Sequence, residues 1–114
     1  MKETDFARYL TQFLSTYLPG QVGSKRNTQL AYRDSFSLFL RYCRDLENLS
    51  PEKLTIAKID RELVLRFLQW LEDERNCKAA TRNQRLAAIH SFFSFLMVEE
   101  PQYMQQSQKI LAIP

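Results

Sequence analysis

Apolar residues recur at steps of three and four along most of this chain, which is the spacing of one face of a helix. Phe6, Tyr9, Leu10, Phe13, Leu14 and Tyr17 follow the rule and predict a first helix from about Asp5 to Tyr17. The run "LPGQVGS" then interrupts it, with Pro19, Gly20 and Gly23 as punctuation. A second helix, capped by Ser24 or Asn27, reaches to about Leu46 or Glu47, with Tyr32, Phe36, Phe39, Leu40 and Cys43 inward. After the connector "NLSPEKLTIAKI", Asp60 is the expected cap of a third helix. Its buried side is Leu63, Phe67, Trp70 and Leu71, and it ends near Asn76. A fourth helix starts at about Thr81 and runs through Val98 until Pro101 stops it. Its inward stripe is Leu86, Ile89, Phe93 and Leu96, with His90 on the flank and Phe95 nearly opposite Leu86. Residues 101–114 read as a short polar helix or turn and an extended tail.

Composition narrows the class. With 2 Gly and 4 Pro there is too little punctuation for a strand-and-turn architecture, so the expected fold is all-α, a small bundle of four to five helices. A length of 114 residues normally makes one domain with a usable core. Cys43 and Cys77 lie far apart without CxxC spacing, which points to thiols in a reducing, cytoplasmic compartment and away from a disulfide framework or a metal site. No apolar run reaches transmembrane length, and "MKETDFARYL" lacks the apolar core of a signal peptide.

The net charge of +3 carries little information, but its distribution carries more. Between Asp5 and Asp34 the charged side chains are Arg8, Lys25, Arg26 and Arg33; between Glu74 and Glu99 they are Arg75, Lys78, Arg82 and Arg85. Two acid-free basic segments thus flank an acidic centre. If folding brings them together, they form one positive surface of the kind nucleic acids select. The competing reading is two solvated helix ends that happen to be basic. On a helical wheel Thr81, Gln84, Arg85 and Ala88 fall away from the stripe of Leu86, while Asn27 and Ala31 fall opposite Phe36 and Cys43. Lys25 and Arg26 stand at the entry of the second helix. Donors beside a small residue at a helix N-terminus suit close approach to a phosphodiester, and Asn27, Gln84 and Arg85 are long enough to reach base edges.

Residues 24–43, "SKRNTQLAYRDSFSLFLRYC", resemble the second helix of the core-binding domain of tyrosine recombinases, the phage-integrase family. Residues 81–100, "TRNQRLAAIHSFFSFLMVEE", are similar to the fourth helix of that domain. "IDRE" at 59–62 and "FLQWLEDE" stand between them in the family's order, and "ILAIP" at 110–114 resembles the stretch that leads into the catalytic domain. The resemblance implies a SAM-like orthogonal bundle acting as half of a clamp on duplex DNA. It implies a core-binding domain at 1–109, a linker beginning at 110–114, and other recombinase protomers as partners on DNA. Position by position, Thr28 and Thr81 match helix-start threonines beside phosphates. Lys25, Asn27, Ala31, Lys78, Gln84, Arg85 and Ala88 match the DNA-facing surface, and Arg26 and Arg82 stand beside them as phosphate contacts. His90 departs from the Arg of many relatives.

The family's catalytic residues belong to a second domain expected after Pro114, so none of the residues here is given a catalytic role. No cofactor, metal, membrane or small-molecule substrate is expected. A helical protein-interaction module is the alternative class, supported by 12% aromatic residues and by Trp70, Phe95 or Tyr103 if they form an exposed patch. A helix-turn-helix repressor is disfavoured, because "NCKAAT" is a poor match to the tight turn such a motif needs.

Overall fold

The computed structural model describes every residue except Met1, Lys2, Val22, Ser24 and Cys77. The described residues form five α-helices and no strand: α1 (Asp5–Gln12), α2 (Arg26–Leu46), α3 (Arg61–Asp73), α4 (Ala79–Glu99) and α5 (Met104–Leu111). The all-α expectation holds. They divide into two compact units, Met1–Lys58 and Ile59–Pro114.

In the first unit, Thr4 caps α1 by accepting from the Ala7 N–H, and Asp5 stands in the first turn. The Asp5 carboxylate accepts from its neighbour Phe6 N at 2.7 Å and from Ile56 N at 3.0 Å. One acid therefore ties the 3-10 turn Ile56–Lys58 to the start of α1. Past Gln12 the first helix widens into a π-turn, Phe13–Tyr17, in which Leu18 N reaches back to Phe13 O at 2.8 Å. Phe13 is fully buried there, stacked on Tyr32 and edge-on to Phe36. Phe36 and Phe39 extend this aromatic core to Phe6. The chain leaves α2 through Asn48 at φ 56°, a left-handed residue that asparagine tolerates, and Leu49 N then reaches Cys43 O. Cys43 is completely buried, and burial pushes its thiol up from 9.0 to about 12.

In the second unit, Asp60 caps α3 as the sequence predicts, accepting from Leu63 N at 2.8 Å. Leu63, Val64, Phe67, Leu68 and Leu71 are its buried residues. Trp70 is half-buried, stacked on Phe67 and covered by the Arg75 guanidinium. α4 packs on both α3 and α5. Pro101 opens a 3-10 turn after α4, and α5 follows directly. The carboxyl-terminal residues are therefore more ordered than an extended tail: Ile110 lies inside α5, and Ile110 and Ile113 are both buried. The boundary expected at residue 109/110 falls within that helix. His90 donates from Nε2 to the Ile110 carbonyl at 3.0 Å, since a carbonyl oxygen can only accept. The Gln106 amide donates to the Ile59 carbonyl at 2.6 Å, fixing the other end of the unit to α5.

Candidate nucleic-acid interface

The two basic segments open the two longest helices, each of 21 residues. They fall in different units, residues 25–31 in the first and 78–88 in the second. Both helices begin the same way. The N-cap positions are Lys25 and Lys78, neither makes a side-chain capping bond, and neither first turn contains an acid. Asn27, one of the two cap candidates, is instead the second residue of α2, and Ser24 lies outside the described residues. A helix start without a capping carboxylate or hydroxyl leaves its first N–H groups to solvent or to a ligand, and its partial positive charge favours an anion.

On α2, Lys25, Arg26, Asn27 and Thr28 are exposed and Ala31 is half-buried. Beyond them the helix turns into core, with Ser35, Phe36, Leu38, Phe39, Tyr42 and Cys43 buried. Arg26 shares its outward face with Arg33, Arg41 and Arg44, all exposed, but Arg44 is held by Asp45 at 2.8 Å.

On α4, Lys78 and Gln84 are exposed, whereas Thr81, Arg82 and Arg85 are partly covered. Arg82 is committed in part: its Nε donates to a Glu72 carboxylate oxygen at 3.0 Å, and its Nη1 to the Asn83 side-chain oxygen at 3.3 Å. Ala88 requires correction. It is 0% exposed and contributes nothing to an outer surface. The reason is visible on the helix itself: Ala88, Phe92 and Phe95 stand at i, i+4 and i+7, a second apolar row beside Leu86, Ile89, Phe93 and Leu96. Both rows are buried, so α4 is enclosed over about half its circumference from Leu86 onward. Phe95 belongs to that core, at 2% exposure, and not to a free aromatic patch. Gln84 is exposed before the enclosure begins, whereas Arg85 is half-buried with its Nε covered, on the side of the helix that carries Ile89 and Phe92.

No helix among the described residues is long and apolar enough to cross a membrane. Among the described residues no cluster of His, Cys, Asp or Glu is suited to hold a metal ion.

Comparison with known proteins places the chain. The family described as "Phage integrase, N-terminal SAM-like domain" matches residues 10–100. Two proteins of Sinorhizobium fredii (strain NBRC 101917 / NGR234) align along nearly the whole chain. "Putative integrase/recombinase y4rD" is 35% identical over 109 residues, covering 92% of this chain and 39% of that protein. "Putative integrase/recombinase y4rC" is 34% identical over 113 residues, covering 99% of this chain and 34% of that protein. The chain thus spans between a third and two fifths of the length of these relatives. No solved structure matches it. With its all-α fold and a family match that runs from α1 to the end of α4, the chain belongs to the phage-integrase N-terminal SAM-like domain family.

Proposed function

We propose that this chain is the DNA-binding part of a site-specific tyrosine recombinase, holding the recombination-site duplex as half of a clamp. The observation that carries the reading is the pair of open, acid-free, lysine-headed starts of α2 and α4. The other main helices, α1 and α3, are capped by Thr4 and Asp60 and carry acids in their first turns. α5 also starts without a side-chain cap or an acid, but behind Tyr103, so the uncapped starts headed by lysine are those of α2 and α4, where the family resemblance puts phosphate.

In this reading Lys25, Arg26, Lys78 and Arg85 supply charge to phosphates, with Arg82 when it leaves Glu72. The first N–H groups of both helices, and Thr28 and Thr81, add hydrogen bonds to phosphate oxygens. Asn27 and Gln84, both exposed, are the side chains suited to base edges. Ala31 leaves room for the backbone of the duplex. The convergence of the two segments on one duplex is part of the proposal.

The described residues supply affinity and position. Strand cleavage and rejoining belong to a further domain of the whole recombinase, which acts in the cytoplasm with other protomers assembled on DNA. A grip on one side of the duplex is weak alone and gains from a tethered partner through effective concentration.

Binding of a labelled duplex by the 114-residue chain across a salt series tests this reading. Affinity that falls steeply and log-linearly with salt is expected. Absence of salt-dependent retention would favour the protein-interaction module instead.

A further inference from the structure

α3 ends in three consecutive acids, Glu72, Asp73 and Glu74, the last being its C-cap. That is the unfavourable end of a helix for carboxylates, because its partial negative charge repels them. Asp73 is held by the Gln69 amide at 3.0 Å, within α3. Glu72 instead reaches across to α4 and accepts from Arg82 Nε at 3.0 Å. The Glu72 side chain is 44% exposed and that of Arg82 23%, so the pair stands at the surface and an incoming ligand can reach it.

A carboxylate and a phosphodiester present the same feature to a guanidinium: negatively charged oxygens that accept its N–H bonds. We propose that Glu72 occupies, in the DNA-free protein, the place on Arg82 that a DNA phosphate takes on binding. Resting on the DNA-binding reading, the inference makes Glu72 an internal competitor that sets the affinity of the α4 start. Binding exchanges one anion for another at Arg82. The exchange holds nonspecific affinity down, since a phosphate must displace a partner already in place. The released Glu72 then lies close to the duplex, so the contact repays its cost only where the phosphate is well positioned. Arg82 Nη1 also donates to the neighbouring Asn83 side-chain oxygen at 3.3 Å, near the start of α4.

Exposed ion pairs are weak, and the expected effect is correspondingly modest. Glu72→Gln keeps the shape and removes the charge; it should tighten duplex binding by about three- to fivefold at low salt, with the gain shrinking as salt screens the pair. Asp73→Asn removes an equal charge one residue away without touching Arg82, and should give a clearly smaller gain. In an Arg82→Gln background the Glu72→Gln gain should fall to that of Asp73→Asn. Glu72→Ala, measured alongside, should tighten binding in the same direction, and circular dichroism melts of each variant establish that it is folded.

Tighter binding by Glu72→Gln that depends on Arg82 supports the inference. A parent chain that binds duplex while Glu72→Gln is unchanged, weaker, or no better than Asp73→Asn overturns the inference and leaves the DNA-binding reading standing. A parent and variants that all lack salt-dependent binding overturn both.

Discussion

α2 and α4 have the same length and the same kind of opening, yet they are built into the protein differently. The start of α2 is exposed from Lys25 to Thr28, and beyond it Ser35, Phe36, Leu38, Phe39, Tyr42 and Cys43 enter the core while arginines occupy the opposite face. α4 carries two buried rows, Leu86–Ile89–Phe93–Leu96 and Ala88–Phe92–Phe95, and packs on α3 and α5. The difference separates the role of position from that of charge. In α4 the basic start is already partly covered at Thr81, Arg82 and Arg85 and runs directly into the buried rows, so disturbing the core displaces the site. In α2 the basic start projects before the core begins, so its side chains are replaceable at little structural cost.

The largest expected effect comes from breaking the α4 core. Phe93→Ala, at 1% exposure and edge-on to Phe92, should cost about 3–5 kcal/mol in denaturant unfolding. A near-unchanged midpoint would show that the enclosure is not the anchor of that helix. Removing a cap where one exists comes next. Asp60→Ala should lose about 1 kcal/mol by the same measurement, because Leu63 N loses its acceptor.

Adding a cap where none exists sharpens the comparison more. Lys25→Asp and Lys78→Asp each put an acceptor and a negative charge at an open helix start. Each should stabilise the fold by about 0.5–1 kcal/mol while weakening duplex binding. A loss of binding with no gain in stability would mean that the lysine charge alone matters; a gain in stability with binding intact would remove that helix start from the interface. The smallest effect concerns the thiol. Since its folded pKa of about 12 stands above the ordinary 9.0, Cys43 contributes stability that is whole below pH 9.0 and is lost as pH rises toward 12. At neutral pH native Cys43 should therefore resist alkylation until denaturant is added, as mass spectrometry can follow.

Much of this was legible from residue spacing. The four main helices, the Asp60 cap, the stop at Pro101 and the stripes of Phe36 and Leu86 all follow from period and punctuation. Ala88 departs from expectation because the buried face of α4 comprises two apolar rows and not the Leu86 row alone. Alanine is silent about its surroundings, but Phe92 and Phe95 at four and seven residues onward carry the signal that it faces the core. The π-turn at Phe13–Tyr17 left no mark in the spacing, which continues regularly through it. Nor does sequence reveal the Glu72–Arg82 pair, since the two residues meet only when α3 and α4 pack. The helix begun at Met104 was half-read, because its polar residues conceal the two isoleucines, Ile110 and Ile113, that tether the end of the chain.

Whether the open starts of α2 and α4 receive phosphate is tested most directly by backbone amide shifts during titration with duplex DNA. The amides of residues 26–29 and 79–82 should shift together, saturably, and recover when salt is raised. Shifts confined to other parts of the chain, with both helix starts unmoved, would contradict it.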